Sequence, residues 1–323
     1  MPLLQRQTQP HDLPRCADLL PQELLGDHNQ NLAGLLEMWT GLIETCSANS
    51  VVIENTDKKP YEIVGFGLSI FVTDEFVREA QENPKPYLAL DLLLRWQSGR
   101  FPGLGLADIR EANKKTGLNL VGLHTVWGKP GMSDEECAPI RDLMLDSLFA
   151  HHRGYNIKAF TKEAFGEEER QRYLTFGFLE RNDYSGLPEI TAEKRPYLMG
   201  ISKEEAFDPS REGRLIRDFF RYTPPACAFT PADQETLQLA LIGQTETDIA
   251  ATLNISKESV KSRWDSIYSH VPRSLEAALF RQGEEKLKSR VLLQWLRNHP
   301  EELRPSLFFP GINLVGEQHL PPR

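Results

Sequence analysis

Residues 256–263 place hydroxyl-bearing and basic side chains together at the start of a predicted helix. Ser256 is a good N-cap, because its hydroxyl can accept a hydrogen bond from a backbone N–H of the first turn. The side chains that follow are Lys257, Ser259, Lys261 and Arg263. Such groups pair with phosphates and hydrogen-bond to base edges, so this cluster predicts contact with double-stranded DNA.

The surrounding pattern predicts three short helices that would position this cluster. Thr230 and Pro231 start the first helix, and Gly243 ends it as a left-handed cap would. A second helix over 246–253 is followed by Asn254, which suits a tight turn. The third helix carries an apolar stripe that should face a core, formed by Val260, Trp264, Ile267 and Val271.

This segment resembles the LuxR/GerE-type helix-turn-helix. The matching stretches are Asp248-Ile249-Ala250, Leu253-Asn254-Ile255-Ser256 and Ser259-Val260-Lys261, together with Gly243 and Ile267. The resemblance implies an all-α DNA-binding domain over 229–273, in which the third helix enters the major groove. We therefore predict DNA contacts from Lys257, Ser259, Val260, Lys261 and Arg263.

Charge limits how this domain could bind. The chain has a formal net charge of -9, which is not typical of a protein that coats nucleic acid. Residues 229–273 hold four Lys or Arg against six Asp or Glu. DNA binding would then depend on one local cluster. The alternatives are a helical bundle that binds nothing and an interaction module that does not bind DNA.

The N-terminal region over 1–208 mixes strand and helix signals, which indicates an α+β domain. Strands are predicted at 3–7, 63–72 and 118–127, and helices at 134–151 and 161–174. The opening RQTQPHDLPRCADLLP and the later YLTFGF resemble the GNAT-type N-acetyltransferases. The resemblance implies a mixed sheet with flanking helices, followed by a linker over 209–228.

The GNAT resemblance also implies an acetyl-CoA loop after the fourth strand. The corresponding stretch is GKPGMSDEE, whose candidate cofactor-binding residues are Gly128, Lys129, Gly131, Met132 and Ser133. Pro130 removes one N–H donor, and the acids at 134–136 would repel phosphate. We interpret the loop as degenerate and the domain as a ligand or partner sensor, or a scaffold, with no cofactor. The alternative is an active acetyl-CoA-dependent N-acetyltransferase fused to a regulatory helix-turn-helix.

The remaining sequence features concern metal binding, membrane crossing and the C-terminal tail. His151 and His152 are adjacent on a predicted helix and point about 100° apart, so no metal site is expected. Apolar runs are too short to span a membrane, and a cytoplasmic protein is predicted. The tail over 274–323 begins with a helix that would support a homodimer or dock on the N-terminal domain. The sequence thus predicts a dimeric transcription regulator with a GNAT-like sensor.

Overall fold

The structure is a computed structural model, and it describes residues 1–20, 31–186, 191, 194–212, 214–279 and 287–304. The chain divides into two compact units, Met1–Tyr222 and Thr223–Arg323. The division falls inside the segment 209–228 that was expected to be a linker. Parts of the predicted tail, 280–286 and 305–323, lie outside the described residues.

A mixed sheet forms the centre of the first unit. In the described residues its order is β1-β2-β3-β4-β5-β7-β6, and β4 and β5 are the parallel pair among antiparallel neighbours. The strands are β1 (Leu3–Gln7), β2 (Ala48–Asn55), β3 (Glu62–Val72), β4 (Leu118–Trp127), β5 (Ile157–Phe165), β6 (Leu179–Asn182) and β7 (Pro196–Ser202).

Helices flank this sheet, and the arrangement confirms the α+β domain with a mixed sheet and flanking helices that was predicted for the N-terminal region. The helices of the first unit are α1 (Leu13–Ala17), α2 (Leu32–Glu44), α3 (Asp74–Glu82), α4 (Leu88–Gln97), α5 (Leu106–Lys114), α6 (Asp134–His152), α7 (Gly166–Phe176), α8 (Lys203–Ala206) and α9 (Ile216–Phe219). Short 3-10 turns cover Pro10–Asp12 and Pro209–Arg211.

The two faces of the sheet pack differently. One face buries a large core against α2 and α4, with Trp39 and Phe66 near its centre. The opposite face packs on α6 through Ile140 and Met144. Gly67 lets α6 approach, since a Cβ there would lie 2.9 Å from Sδ of Met144. The sheet is therefore covered on both faces, as a mixed sheet with parallel strands usually is.

The sheet opens into a wedge between its parallel strands. β4 and β5 pair from Leu118↔Ile157 to Gly122↔Lys162, and beyond Gly122 strand β4 keeps only its pairing with β3, which runs from Asn119 to Trp127. Leu123 is skipped in the β3–β4 register, which is a β-bulge that bends β4 at this point. The wedge exposes side chains of both strands to the space below α6 and α7.

The helix predicted over 161–174 is wrong in its first part. Strand β5 continues to Phe165, and α7 begins at Gly166. Strand β7, which was not predicted, pairs with β5 from Ala159↔Ser202 to Phe165↔Pro196. This pairing holds residues 161–165 extended although their composition suits a helix, because sheet pairing overrides a weak local preference.

The second unit is helical in the part that is described. Its helices are α10 (Pro231–Leu241), α11 (Glu246–Thr252), α12 (Lys257–His270), α13 (Arg273–Leu279) and α14 (Lys288–Arg297), followed by a 3-10 turn at Pro300–Leu303. Leu292 and Leu296 of α14 are buried in the same core as Leu237, Ile249 and Val260. The described part of the tail therefore packs within its own unit.

Across the described ranges, no helix combines the length and the hydropathy that crossing a membrane requires.

Candidate functional site

Helices α11 and α12 are joined by a tight four-residue turn. Asn254 has φ +52°, the left-handed conformation expected from the sequence, and the N–H of Ile255 donates to the carbonyl of Ala250 over 3.0 Å. Ser256 then caps α12, its hydroxyl accepting from the N–H of Ser259 over 3.1 Å. The turn fixes the direction in which the first turn of α12 projects.

The outer face at the start of α12 carries three of the five predicted DNA contacts. Lys257, Ser259 and Lys261 are all exposed. The opposite face is buried through Trp264 and Ile267. The helix thus presents two ammonium groups and hydroxyls to solvent, while its apolar stripe anchors it to the core.

Two of the predicted contacts are placed elsewhere. Val260 is fully buried in the core of the unit, so its prediction as a DNA contact is corrected: a side chain enclosed by its own domain cannot reach a base. Arg263 is partly buried, and its Nη1 donates to the carbonyl of Ala232 over 3.1 Å and to Thr236 Oγ1 over 3.3 Å. Arg263 therefore ties α12 to α10.

Several acids of this unit serve to cap its helices. Asp233 and Asp248 complete the capping boxes of α10 and α11 with Thr230 and Thr245. Asp233 is also 2.9 Å from His270. The negative charge counted from the sequence is therefore partly directed at helix N-termini, away from the exposed start of α12.

The predicted cofactor loop follows β4 and leads into α6, as the GNAT resemblance implied. Three of its backbone N–H groups donate to acceptors of the protein. Gly128 N–H donates to Val64 O over 2.8 Å, Lys129 N–H to Met132 Sδ over 3.1 Å, and Met132 N–H to Lys129 O over 3.1 Å. The Lys129 ammonium is paired with Glu62.

The N-terminus of α6 is closed by its own first turn. Ser133 N–H donates to Glu136 Oε2 over 2.8 Å, and the N–H of Glu136 donates back to Ser133 Oγ. The hydrogen bond from the Ser133 backbone lowers the pKa of Glu136, so the carboxylate is charged there. A diphosphate would meet this anion and those of Asp134 and Glu135. The residues present do not fit acetyl-CoA.

A narrow cavity lies on the α6 side of the wedge. Its interior has a volume of about 80 Å³. Its lining is mostly apolar and aromatic and includes Met144, Leu148, Phe149, Phe160, Tyr173 and Phe219. Phe219 of α9 closes one side, with its ring centroid 5.2 Å from that of Phe160 and 5.6 Å from that of Phe149. A lining of this apolar and aromatic character is typical of sites that bind small organic molecules.

Lys162 lies in this cavity and was missed by the sequence reasoning. The residue is 4% exposed, its ammonium is 3.9 Å from Glu169 and 5.3 Å from the centroid of the Tyr173 ring. Burial lowers the pKa of Lys162 and raises the pKa of Tyr173. In a stretch predicted to be helical, a lysine is expected to be exposed to solvent. Only the assignment of 161–165 to a strand would have placed Lys162 in the interior of the unit.

A second polar group lies at the other end of the cavity. His152 Nδ1 is 2.7 Å from the carbonyl of Leu148, which can only accept, so Nδ1 carries the proton. Nε2 then accepts from Asn49 Nδ2 over 3.2 Å and from Ser69 Oγ over 3.0 Å. In the described residues no group of three His, Cys, Asp or Glu could hold a metal ion.

No family model matches the chain, and no curated protein matches it. Solved structures are similar to it at low identity. The C-terminal condensation domain of Ebony with beta-alanyl-dopamine has 11% identity and TM-score 0.36, covering 62% of this chain and 99% of that one. Arylalkylamine N-acetyltransferase 2 from Aedes aegypti has 13% and 0.36, covering 62% and 98%. FeeM, an N-acyl amino acid synthase from uncultured soil microbes, has 12% and 0.34, covering 68% and 99%.

Proposed function

We propose that this protein is a DNA-binding regulator, in which α11 and α12 form a helix-turn-helix and the first unit binds a small molecule. The observation that carries the proposal is the geometry of α12. Its buried stripe is anchored in the core, and its first turns expose Lys257, Ser259 and Lys261. Helix-turn-helix proteins read the major groove with the N-terminal residues of their second helix.

Fewer residues are available for contact with DNA than the sequence suggested. Lys257 and Lys261 would pair with phosphates, and Ser259 would hydrogen-bond to a base edge or a phosphate. Two phosphate contacts per protomer give little affinity at physiological salt. We therefore include a two-fold homodimer in the proposal, since a second copy doubles the contacts. Analytical ultracentrifugation with and without DNA tests that part.

DNA selection from a random pool, followed by fluorescence anisotropy with the selected duplex, tests the main proposal. The Lys257→Gln/Lys261→Gln double variant should weaken binding at least about tenfold and lower the salt slope by about 2 per protomer. The matched control is Lys114→Gln/Lys115→Gln, which removes the same charge from exposed lysines of the first unit. Equal binding by both double variants would contradict the proposal.

A second candidate function is the N-acetyltransferase. The observation that favours it is the β4–β5 wedge, next to which the buried side chains of Lys162 of β5 and Tyr173 of α7 lie. The loop geometry argues against it, because the acetyl-CoA diphosphate has no available cradle there. Isothermal titration with acetyl-CoA separates the two candidates: stoichiometric binding tighter than about 1 mM would favour the enzyme.

A further inference from the structure

The cavity of the first unit has a polar group at each end of one row of residues. Asn49 pairs with Ser69, Ser69 with Gly122, and Gly122 with Lys162 across β2, β3, β4 and β5. Three strand spacings separate Asn49 from Lys162, which is roughly 14 Å. Gly122 lets the Phe160 ring and the Lys162 side chain pack against the middle of the row, as a Cβ there would lie 3.2 Å from Phe160 and 3.5 Å from Cδ of Lys162.

Each end has unused hydrogen-bonding capacity. Oδ1 of Asn49 is buried and has no partner, because the Nδ1 proton of His152 makes Asn49 Nδ2 the donor to Nε2. The amine of Lys162 has an ion-pair neighbour at 3.9 Å, and no acceptor in the described residues lies within hydrogen-bonding distance of it. Buried polar groups without partners are costly, so both ends favour a ligand that supplies them.

The charges around the cavity decide the charge of the ligand. Lys162 already faces Glu169, so a ligand carboxylate would lie close to a second anion. A ligand ammonium would lie beside the ammonium of Lys162. An uncharged carbonyl oxygen can accept from the amine with neither conflict. The walls between the ends are apolar and aromatic, which calls for an apolar body.

We propose that this cavity binds an uncharged, elongated and mainly apolar molecule whose carbonyl oxygen accepts a hydrogen bond from Lys162. A hydroxyl or amide N–H at the far end of the ligand would meet Asn49. Phe219 and Ile216 of α9 cover the cavity, so the ligand also contacts the last helix of the first unit. The inference rests on the ligand-binding half of the proposed function.

Isothermal titration of the full chain with octanamide, octanoate and octylamine tests the head group, since the three share one apolar chain. We expect octanamide to bind most tightly and octylamine least. Lys162→Met should weaken octanamide binding at least about tenfold, as expected for a lost hydrogen bond to a charged group. The control Lys158→Met removes a lysine of the same strand that pairs with Asp74 outside the cavity.

If thermal melting shows that Lys162→Met does not fold, a second variant still tests the inference. Leu148→Trp fills the cavity from α6 and should abolish octanamide binding without removing a charge. Binding of octylamine as tight as that of octanamide, or octanamide binding unchanged in Leu148→Trp, would overturn the inference. DNA binding is measured separately on the same proteins, so a failed DNA assay with retained octanamide binding would count against the DNA proposal alone.

Discussion

The N-termini of α6 and α12 have the same kind of cap but differ in the side chains of their first turns. Each helix is capped by a serine, Ser133 or Ser256, whose hydroxyl accepts from the N–H three residues on. At α6 the third residue is Glu136, which returns its carboxylate to the cap. At α12 the third residue is Ser259, with Lys257 and Lys261 two residues away on either side. The start of α6 is closed by the carboxylate of its third residue, whereas the start of α12 has a hydroxyl there and combines two exposed lysines with one acid, Glu258.

The difference leads us to expect that a helix N-terminus binds an anion only where the side chains of its first turn leave its N–H groups available. The helix dipole and the unsatisfied N–H groups are common to both helices. The capping box of α6 consumes two of those donors and adds negative charge. We therefore expect a glycine-bearing loop before a helix to be insufficient on its own for diphosphate binding. The side chains of the first turn decide it.

The largest effect is expected from making α12 resemble α6. Lys257→Glu/Lys261→Glu should weaken DNA binding by at least about a hundredfold, because two phosphate attractions become repulsions. Fluorescence anisotropy at two salt concentrations measures it. Lys114→Glu/Lys115→Glu serves as the control of equal charge, and a similar loss in that control would mean that overall charge alone governs binding.

The next effect concerns the inner face of α12. Val260→Ala should lower the free energy of unfolding of the second unit by about 2 kcal/mol, since it leaves a hole in a fully buried core. The folded fraction should bind DNA normally. Urea denaturation with DNA titration measures both, and Ser262→Ala on the exposed face is the control. A loss of DNA affinity at unchanged stability would instead support the original prediction that Val260 contacts DNA.

Removing either serine cap should have a smaller effect, and the two variants form a matched pair. Ser133→Ala and Ser256→Ala should each cost about 1 kcal/mol of helix stability. Hydrogen exchange should rise in α6 for the first variant and in α12 for the second. DNA affinity should fall only in Ser256→Ala. If Ser133→Ala weakened DNA binding equally, the two N-termini would not differ in function.

A third helix N-terminus, that of α4, gives the smallest effect. Glu163 accepts from the N–H groups of Tyr87 and Leu88, both over 2.8 Å. Burial raises the pKa of Glu163 from 4.5 to about 8, against the opposing effect of these hydrogen bonds. The folded protein then holds a proton that the unfolded chain releases, so stability should fall as pH rises between these values.

Thermal melting between pH 5 and pH 8 checks this expectation. Wild type should lose more stability over that interval than Glu163→Gln, in which the titrating group is absent. Glu168→Gln, an exposed acid of α7, is the control and should follow wild type. Parallel pH profiles for wild type and Glu163→Gln would show that Glu163 is ionised in the folded protein as it is in the unfolded one.

Local features were predictable because they depend on neighbours in the chain. Strands β1 and β4 have the bounds predicted, and Ser256, Asn254 and Gly243 take the cap and turn conformations that their residue types favour. The failure over 161–165 has a different origin. Its extended conformation comes from pairing with β7, and single-sequence patterns do not contain that partner.

The sequence by itself determined which face of α12 is apolar, where α10, α11 and α12 start, and that acids follow the loop before α6. Tertiary structure alone decided that Val260 is enclosed, that Arg263 is tied to α10, and that Asn49 and Lys162 share one row. The physical reason is that strand register joins residues distant in the chain. A cavity exists only where several such elements leave space between them.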